Sequence, residues 1–115
     1  MNLYEAMATQ RAVRRLRSDP ISGPVLERIF QAATWAPTGG NVQPFRMVAV
    51  TDSEKLSALG QLYSKQWGIY TSSMRAEGEA LATPRKKMME AGDYLCEHFH
   101  SLPLVVVFCF NANHM

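Results

Sequence analysis

Cysteine is scarce in this 115-residue chain: Cys96 and Cys109 are the only two, with no CxxC pair and no metal-ligand spacing. That excludes a disulfide framework and a thiolate metal centre, and the expectation is a reduced, cytoplasmic protein. Long apolar runs are missing too. The longest, Leu104 to Phe110, is far too short to cross a bilayer, and the N-terminus lacks the apolar segment of a secretory signal. No membrane partner is expected. Charge of one sign is not in excess either. Twelve Lys and Arg against ten Asp and Glu leave a formal net charge of +2, too little to mark nucleic acid or an anionic surface as the main partner. There is no internal repeat and no low-complexity linker. No Ser–His–Asp set or pair of carboxylates can be argued. His98 and His100 lie two apart, so on a helix they point to different faces, and His114 falls in an exposed tail.

What is present describes one domain, residues 1–115, with an ordinary 47% hydrophobic content. Leu3, Ala6, Met7 and Gln10 space like a short first helix, broken at Ser18-Asp19-Pro20. Ser22 and Pro24 open a second helix that carries Leu26, Ile29, Phe30 and Ala33 on one face and runs to about Thr34. Ala36-Pro37 stops it. Arg46 to Val50 reads as a strand. Thr51 with Glu54 makes a capping box for a third helix with Leu56, Leu59, Tyr63 and Tyr70 on its face. Thr71 to Ala82 shows no period and reads as fray or loop. Thr83-Pro84 starts a fourth helix through Met88, Ala91, Leu95 and Phe99, and Leu104 to Phe110 reads as a fully buried strand. Two strands among four helices give an α+β class with too small a sheet to stand alone, so more chain or a partner is expected to cover it.

Two segments carry possible chemistry. On a helix, Arg11, Arg14 and Arg15 would share one face, because residues three and four apart are neighbours. Guanidinium groups offer planar forks of donors suited to phosphate. A solvated basic face is the plain alternative. Nucleic-acid binding is a further one, disfavoured because no aromatics interleave the arginines. The second segment is Ala36-Pro37-Thr38-Gly39-Gly40-Asn41-Val42-Gln43-Pro44-Phe45. Prolines restrain both ends, Gly39-Gly40 permits positive φ and close approach of a ligand, and Asn41 and Gln43 bring amides that donate and accept. An ordinary helix-to-strand turn is again the plain alternative. The loop is neither a P-loop nor a dinucleotide-binding fingerprint, since it follows a helix and precedes a strand. Tyr63, Trp67 and Tyr70 read as a core stripe, and Cys96 as a packed thiol.

Together, in this order and separation, the two segments resemble the nitroreductase-like family of flavin oxidoreductases. The resemblance also takes in the Pro20-Ile21 to Ala33 helix, the strand Arg46 to Val50 and the run Pro103 to Phe110. It implies an α+β nitroreductase-like fold, helices packed on a small, mainly antiparallel sheet, and a homodimer with FMN at the subunit interface. It implies that Arg11, Ala12, Arg14 and Arg15 hold the FMN phosphate and ribityl chain. Pro37, Thr38, Gly39 and Asn41 would approach the flavin ring, one bound to the other subunit, with Gln43 and Pro44 shaping the loop. The family often shows Arg-Arg-Ser-x-Arg, whereas Gln10-Arg11-Ala12-Val13-Arg14 lacks one arginine and the serine hydroxyl. Family members also continue past the last strand, so the expectation is the N-terminal part of such a domain, lacking its C-terminal half.

The activity this implies is ping-pong transfer of reducing equivalents from NAD(P)H as co-substrate to a nitro, quinone or related small-molecule acceptor. The flavin does the redox chemistry, so no side chain is nominated as catalytic. A non-catalytic flavin-binding or dimerisation module is the alternative. A small nucleic-acid or anion-binding protein is the third reading.

Overall fold

A long helical hairpin set beside a two-stranded ribbon positions everything else. The computed structural model describes residues 2–111; the tail expected around His114 lies outside them. The order is α1 (Leu3–Thr9), α2 (Gly23–Thr34), β1 (Phe45–Val50), α3 (Ser53–Glu77), α4 (Thr83–His98) and β2 (Val105–Phe110). Short 3₁₀ turns lie at Gly39–Asn41, Gly78–Ala80 and Phe99–Ser101. The α+β class, four helices and a small antiparallel sheet, is as expected.

Local chemistry explains most of the boundaries. Asn2 and Glu5 form a reciprocal capping box on α1. Pro24 sits in the first turn of α2, where its missing N–H costs nothing. The expected Thr51–Glu54 box on α3 is not formed. Asp52 is the N-cap, its Oδ1 accepting from Lys55 N at 2.9 Å. A carboxylate outcompetes the neighbouring hydroxyl because it also meets the positive helix end, and that hydrogen bond holds the Asp52 carboxyl below its usual range.

The larger correction concerns 71–82. The helix runs on to Glu77 because Thr71 and Met74 are buried and Arg75 is tied to Asp93 of α4. Packing overrides weak periodicity here, and Gly78 ends the helix at φ 53°. Among the described residues the buried large apolar side chains are Leu56 and Met74 of α3, Leu81 between the helices, and Phe99 after α4.

β1 and β2 pair antiparallel, from Phe45 opposite Phe110 to Val50 opposite Val105. Side chains alternate across the ribbon. Val48, Val50 and Val107 line a cleft with Ala58, Leu59 and Leu62 of α3. The opposite face pairs Phe45 with Phe110, Met47 with Phe108 and Ala49 with Val106, apolar throughout. β2 is therefore not fully buried in the single chain: Phe108 is 54% and Phe110 63% exposed. The strand's composition suits two covered faces, and α3 supplies only one cover. The radius of gyration, 17.1 Å, exceeds the roughly 13 Å of a compact domain this long.

Candidate functional site

The arginines come first because the structure changes their setting. α1 ends at Thr9, Gln10 turns extended at φ −60°, ψ 140°, and residues 10–22 have no regular structure. The single helical face expected for Arg11, Arg14 and Arg15 is not formed. Like charges three and four apart repel on a helix, and a seven-residue helix has little cooperativity with which to resist.

The segment is held instead by aromatic faces. The Arg14 guanidinium lies 5.8 Å from the Trp67 ring centroid, and that of Arg15 lies 4.3 Å from Tyr94. Both distances suit cation–π attraction. Arg11 makes only a long 3.4 Å bond to Thr9 O, and Arg17 pairs with Asp19 at 2.6 Å. Among the described residues no carboxylate pairs with Arg11, Arg14 or Arg15. Among the described residues the Arg14 and Arg15 donors make no hydrogen bond and Arg11 uses only its Nε, so N–H groups of all three stay available to an anion.

Trp67 is itself anchored. Its Nε1–H donates to Asp93 Oδ1 at 2.9 Å, linking α3 to α4. The same oxygen accepts from Arg75 Nη2 at 2.5 Å. Arg75 Nε donates to Thr71 Oγ1 at 3.2 Å, and that hydroxyl donates to Trp67 O at 2.8 Å. Thr71 is fully buried. The indole lies directly on Gly92, where an added Cβ would stand 2.0 Å from Trp67 Cζ2. Trp67 also lines a groove of about 480 Å³ with Arg14, Tyr63, Gln66, Tyr70 and Met88. The expected core stripe is thus partly a stacking surface, for Tyr70 is 63% exposed.

Asp93 carries a testable pH dependence. Burial pushes its carboxyl up, but hydrogen bonds from Arg75 and Trp67 outweigh it, and the net pKa lies below the ordinary 3.8. A depressed pKa stabilises the fold fully above the unfolded value, and that stability is lost as pH falls through the folded value. The melting temperature should therefore hold down to about pH 5 and drop below about pH 4. Asp93→Asn should make that acid drop smaller. An identical acid profile in the variant would show that the carboxylate does not supply it.

The loop between α2 and β1 is tightly shaped. Gly40 (φ 58°), Asn41 (φ 56°) and Gln43 (φ 48°) all lie in the left-handed region. Glycine accepts this freely and asparagine tolerates it, but glutamine before a proline stores strain of order 1 kcal/mol or more. Gln43 is held there by its N–H to Thr38 Oγ1 at 3.1 Å and its Nε2 to Asn41 Oδ1 at 3.2 Å. Asn41 N donates to Thr38 O and Val42 N to Gly39 O. The N–H groups of Thr38, Gly39 and Gly40 have no acceptor among the described residues. Three free donors and the Asn41 amide thus stand on a fixed backbone next to β1. Such an array suits a planar ring whose edge alternates acceptors and donors.

Among the described residues, no hydrogen bond, ion pair or ring contact joins the arginine segment to this loop. Pro37, Thr38, Gly39 and Asn41 form one half of a candidate site, and Arg11, Ala12, Arg14 and Arg15 the other. Sequence reasoning missed Arg75, Gly92 and Asp93. Only Gly92 left a trace, as an isolated glycine inside a helical pattern. His98 Nδ1 donates to Tyr94 O at 2.9 Å and its ring stacks on Tyr94. Among the described residues no three His, Cys, Asp or Glu gather as metal ligands. None of the described helices is long and apolar enough to cross a membrane.

Comparison with known proteins gives a consistent picture. The profile of the nitroreductase family matches residues 7–115. Iodotyrosine deiodinase 1 of Rattus norvegicus is 23% identical over 104 residues, 90% of this chain and 35% of the relative. An NADH dehydrogenase of Thermus thermophilus is 41% identical over 54 residues, 47% of this chain and 26% of the relative. Iodotyrosine deiodinase of Daphnia pulex is 30% identical over 59 residues, 51% of this chain and 20% of the relative. The chain thus spans about a third or less of the length of these relatives.

Proposed function

This chain belongs to the nitroreductase family, and on that premise we propose that it works in an FMN-dependent oxidoreductase. Its reaction passes reducing equivalents from NAD(P)H to a nitro, quinone or related acceptor. The observation that carries this reading is the loop. Its left-handed Asn41 and Gln43 shape a turn in which the N–H groups of Thr38, Gly39 and Gly40 have no acceptor among the described residues. Strain of this kind persists where the surrounding structure over-determines the backbone, and it clusters at active sites and ligand clamps.

The residues fit FMN at both ends. Among the described residues Arg11, Arg14 and Arg15 have no carboxylate partner, and they supply charge for a phosphate, with Ala12 leaving room beside them. Pro37, Thr38, Gly39 and Asn41 approach the ring edge. When bound, the flavin supplies two-electron redox chemistry in two half-reactions, with NAD(P)H and the acceptor taking turns in one pocket. The chain's own part is to bind, orient and fix donors around that ring.

A halogenated phenol is a second acceptor class. The match to the rat iodotyrosine deiodinase runs over 104 residues and so includes α3 and α4, whereas the NADH dehydrogenase match covers 54. The test is purification with FMN, followed by anaerobic NADH or NADPH addition while the absorbance of the yellow complex is watched. Bleaching, then recovery on adding menadione or a nitroaromatic, is expected. Recovery with iodotyrosine alone would select the second class. Binding without bleaching would favour a non-catalytic flavin module, and no yellow complex would overturn both readings.

The reading also includes a homodimer. Phe108 and Phe110 on the ribbon, beside the half-buried Phe45 and Met47, and Val25, Ile29 and Trp35 on α2 are exposed apolar side chains. A patch of this kind marks an interface. Sedimentation at micromolar concentration should give a dimer. A stable monomer there would count against the shared site.

A further inference from the structure

We propose that Trp67 is the positioning residue of Arg14, held in that role by Asp93 and Gly92. The backbone around Arg14 is irregular from residue 10 to 22, so nothing local orders its side chain. Yet Arg14 is half-buried while Arg11, Arg15 and Arg17 are exposed. Its guanidinium lies 5.8 Å from the Trp67 ring centroid, in the groove that Tyr63, Gln66, Tyr70 and Met88 also line. The Trp67 face is fixed in three ways. The indole N–H is tied to Asp93, Asp93 is tied to Arg75, and the ring rests against Gly92 with no space for a Cβ. A tryptophan with one such anchor could still swing about its side-chain torsions. Anchored at its nitrogen and along its six-membered edge, it offers a stationary platform.

Among the described residues no hydrogen bond or ion pair engages the Arg14 donors, so the platform orders the arginine without consuming them. An arginine immobilised before a ligand arrives loses less side-chain entropy on binding. Sequence spacing hides this arrangement, because Arg14, Trp67 and Asp93 come from three separate segments. Its consequence for FMN rests on the reading that Arg14 meets the phosphate; the platform itself does not.

The experiment is NMR of the full chain with labelled arginine, read at the Arg14 side-chain protons. Over an indole face they should be shifted upfield. The shift should vanish in Trp67→Leu and Asp93→Leu but survive in Asp93→Asn, whose amide oxygen still accepts from the indole. Both Asp93 variants lose the ion pair to Arg75, so a merely structural role would affect them alike. If Trp67→Leu does not fold, Trp67→Phe keeps a face without an N–H, and adding Asp93→Leu to it should change nothing further. Unshifted Arg14 protons in the parent chain, or an unchanged shift in Asp93→Leu, would overturn the proposal.

Flavin binding separates the two claims. Arg14→Gln should weaken FMN binding roughly tenfold or more and leave riboflavin unchanged. Asp93→Leu should cost FMN about two- to tenfold, again sparing riboflavin. Equal losses of FMN and riboflavin in Arg14→Gln sink the phosphate reading and leave the platform standing. A normal FMN preference in Asp93→Leu, beside a loss in Arg14→Gln, sinks the platform.

Discussion

Gly92→Ala should lower the melting temperature of this chain by about 10 °C or more, although alanine is the better helix former. Alanine gains about 1 kcal/mol over glycine in a helix interior. Here its Cβ would stand 2.0 Å from Trp67 Cζ2, with two further ring atoms at 2.3 and 2.6 Å. The ring cannot retreat cheaply, because its N–H is tied to Asp93. Overpacking costs of 1–3 kcal/mol are typical for smaller intrusions, and each kcal/mol moves the midpoint of a domain near this size by roughly 4–8 °C. Gly68→Ala is the internal control. Gly68 lies on α3 beside Trp67, and a Cβ there meets nothing within 4 Å, so that variant should melt higher. Thermal unfolding followed by circular dichroism gives both numbers. A neutral Gly92→Ala would mean that Trp67 does not lie on α4.

Arg11→Ala should weaken FMN about ten- to a hundredfold while leaving riboflavin nearly unchanged. A hydrogen bond to a charged group is worth about 1.5–3 kcal/mol, and riboflavin has no phosphate to receive it. Arg11 is the sharpest choice among the arginines because, among the described residues, its side chain makes one hydrogen bond, the 3.4 Å bond to Thr9 O. Arg14 and Arg15 also rest on aromatic rings, so their loss mixes two effects. Arg17→Ala should be nearly silent, since its guanidinium already pairs with Asp19 and the pair is exposed. Flavin fluorescence titration of the four combinations decides the matter. Parallel losses for FMN and riboflavin would show that Arg11 does not see the phosphate.

Much of the fold was legible in the sequence because local chemistry dictated it. Ser22, Pro24 and the Leu26-Ile29-Phe30-Ala33 spacing place α2, and Thr83-Pro84 places the start of α4 within a residue. The Val-rich run before Asn111 could only be a strand. The loop from Pro37 to Pro44 was visible as a constrained turn for the same reason: prolines and glycines act on their own backbone, wherever the chain goes. Family membership followed from those short-range signals. Three matters lay beyond them. α3 outruns its own periodicity because Thr71 and Met74 find burial and Arg75 finds Asp93 of α4, benefits invisible in residues 71–82 themselves. The arginines leave the helix because no partner surface rewards a helical face, while Trp67 and Tyr94, more than fifty residues away, reward an irregular one. The Trp67–Asp93 bond spans 26 residues and has no local signature. Torsional preference and capping belong to neighbours in the chain, so sequence determined them. Burial and the pairing of charge with an aromatic face belong to neighbours in space, and only the tertiary structure could decide them.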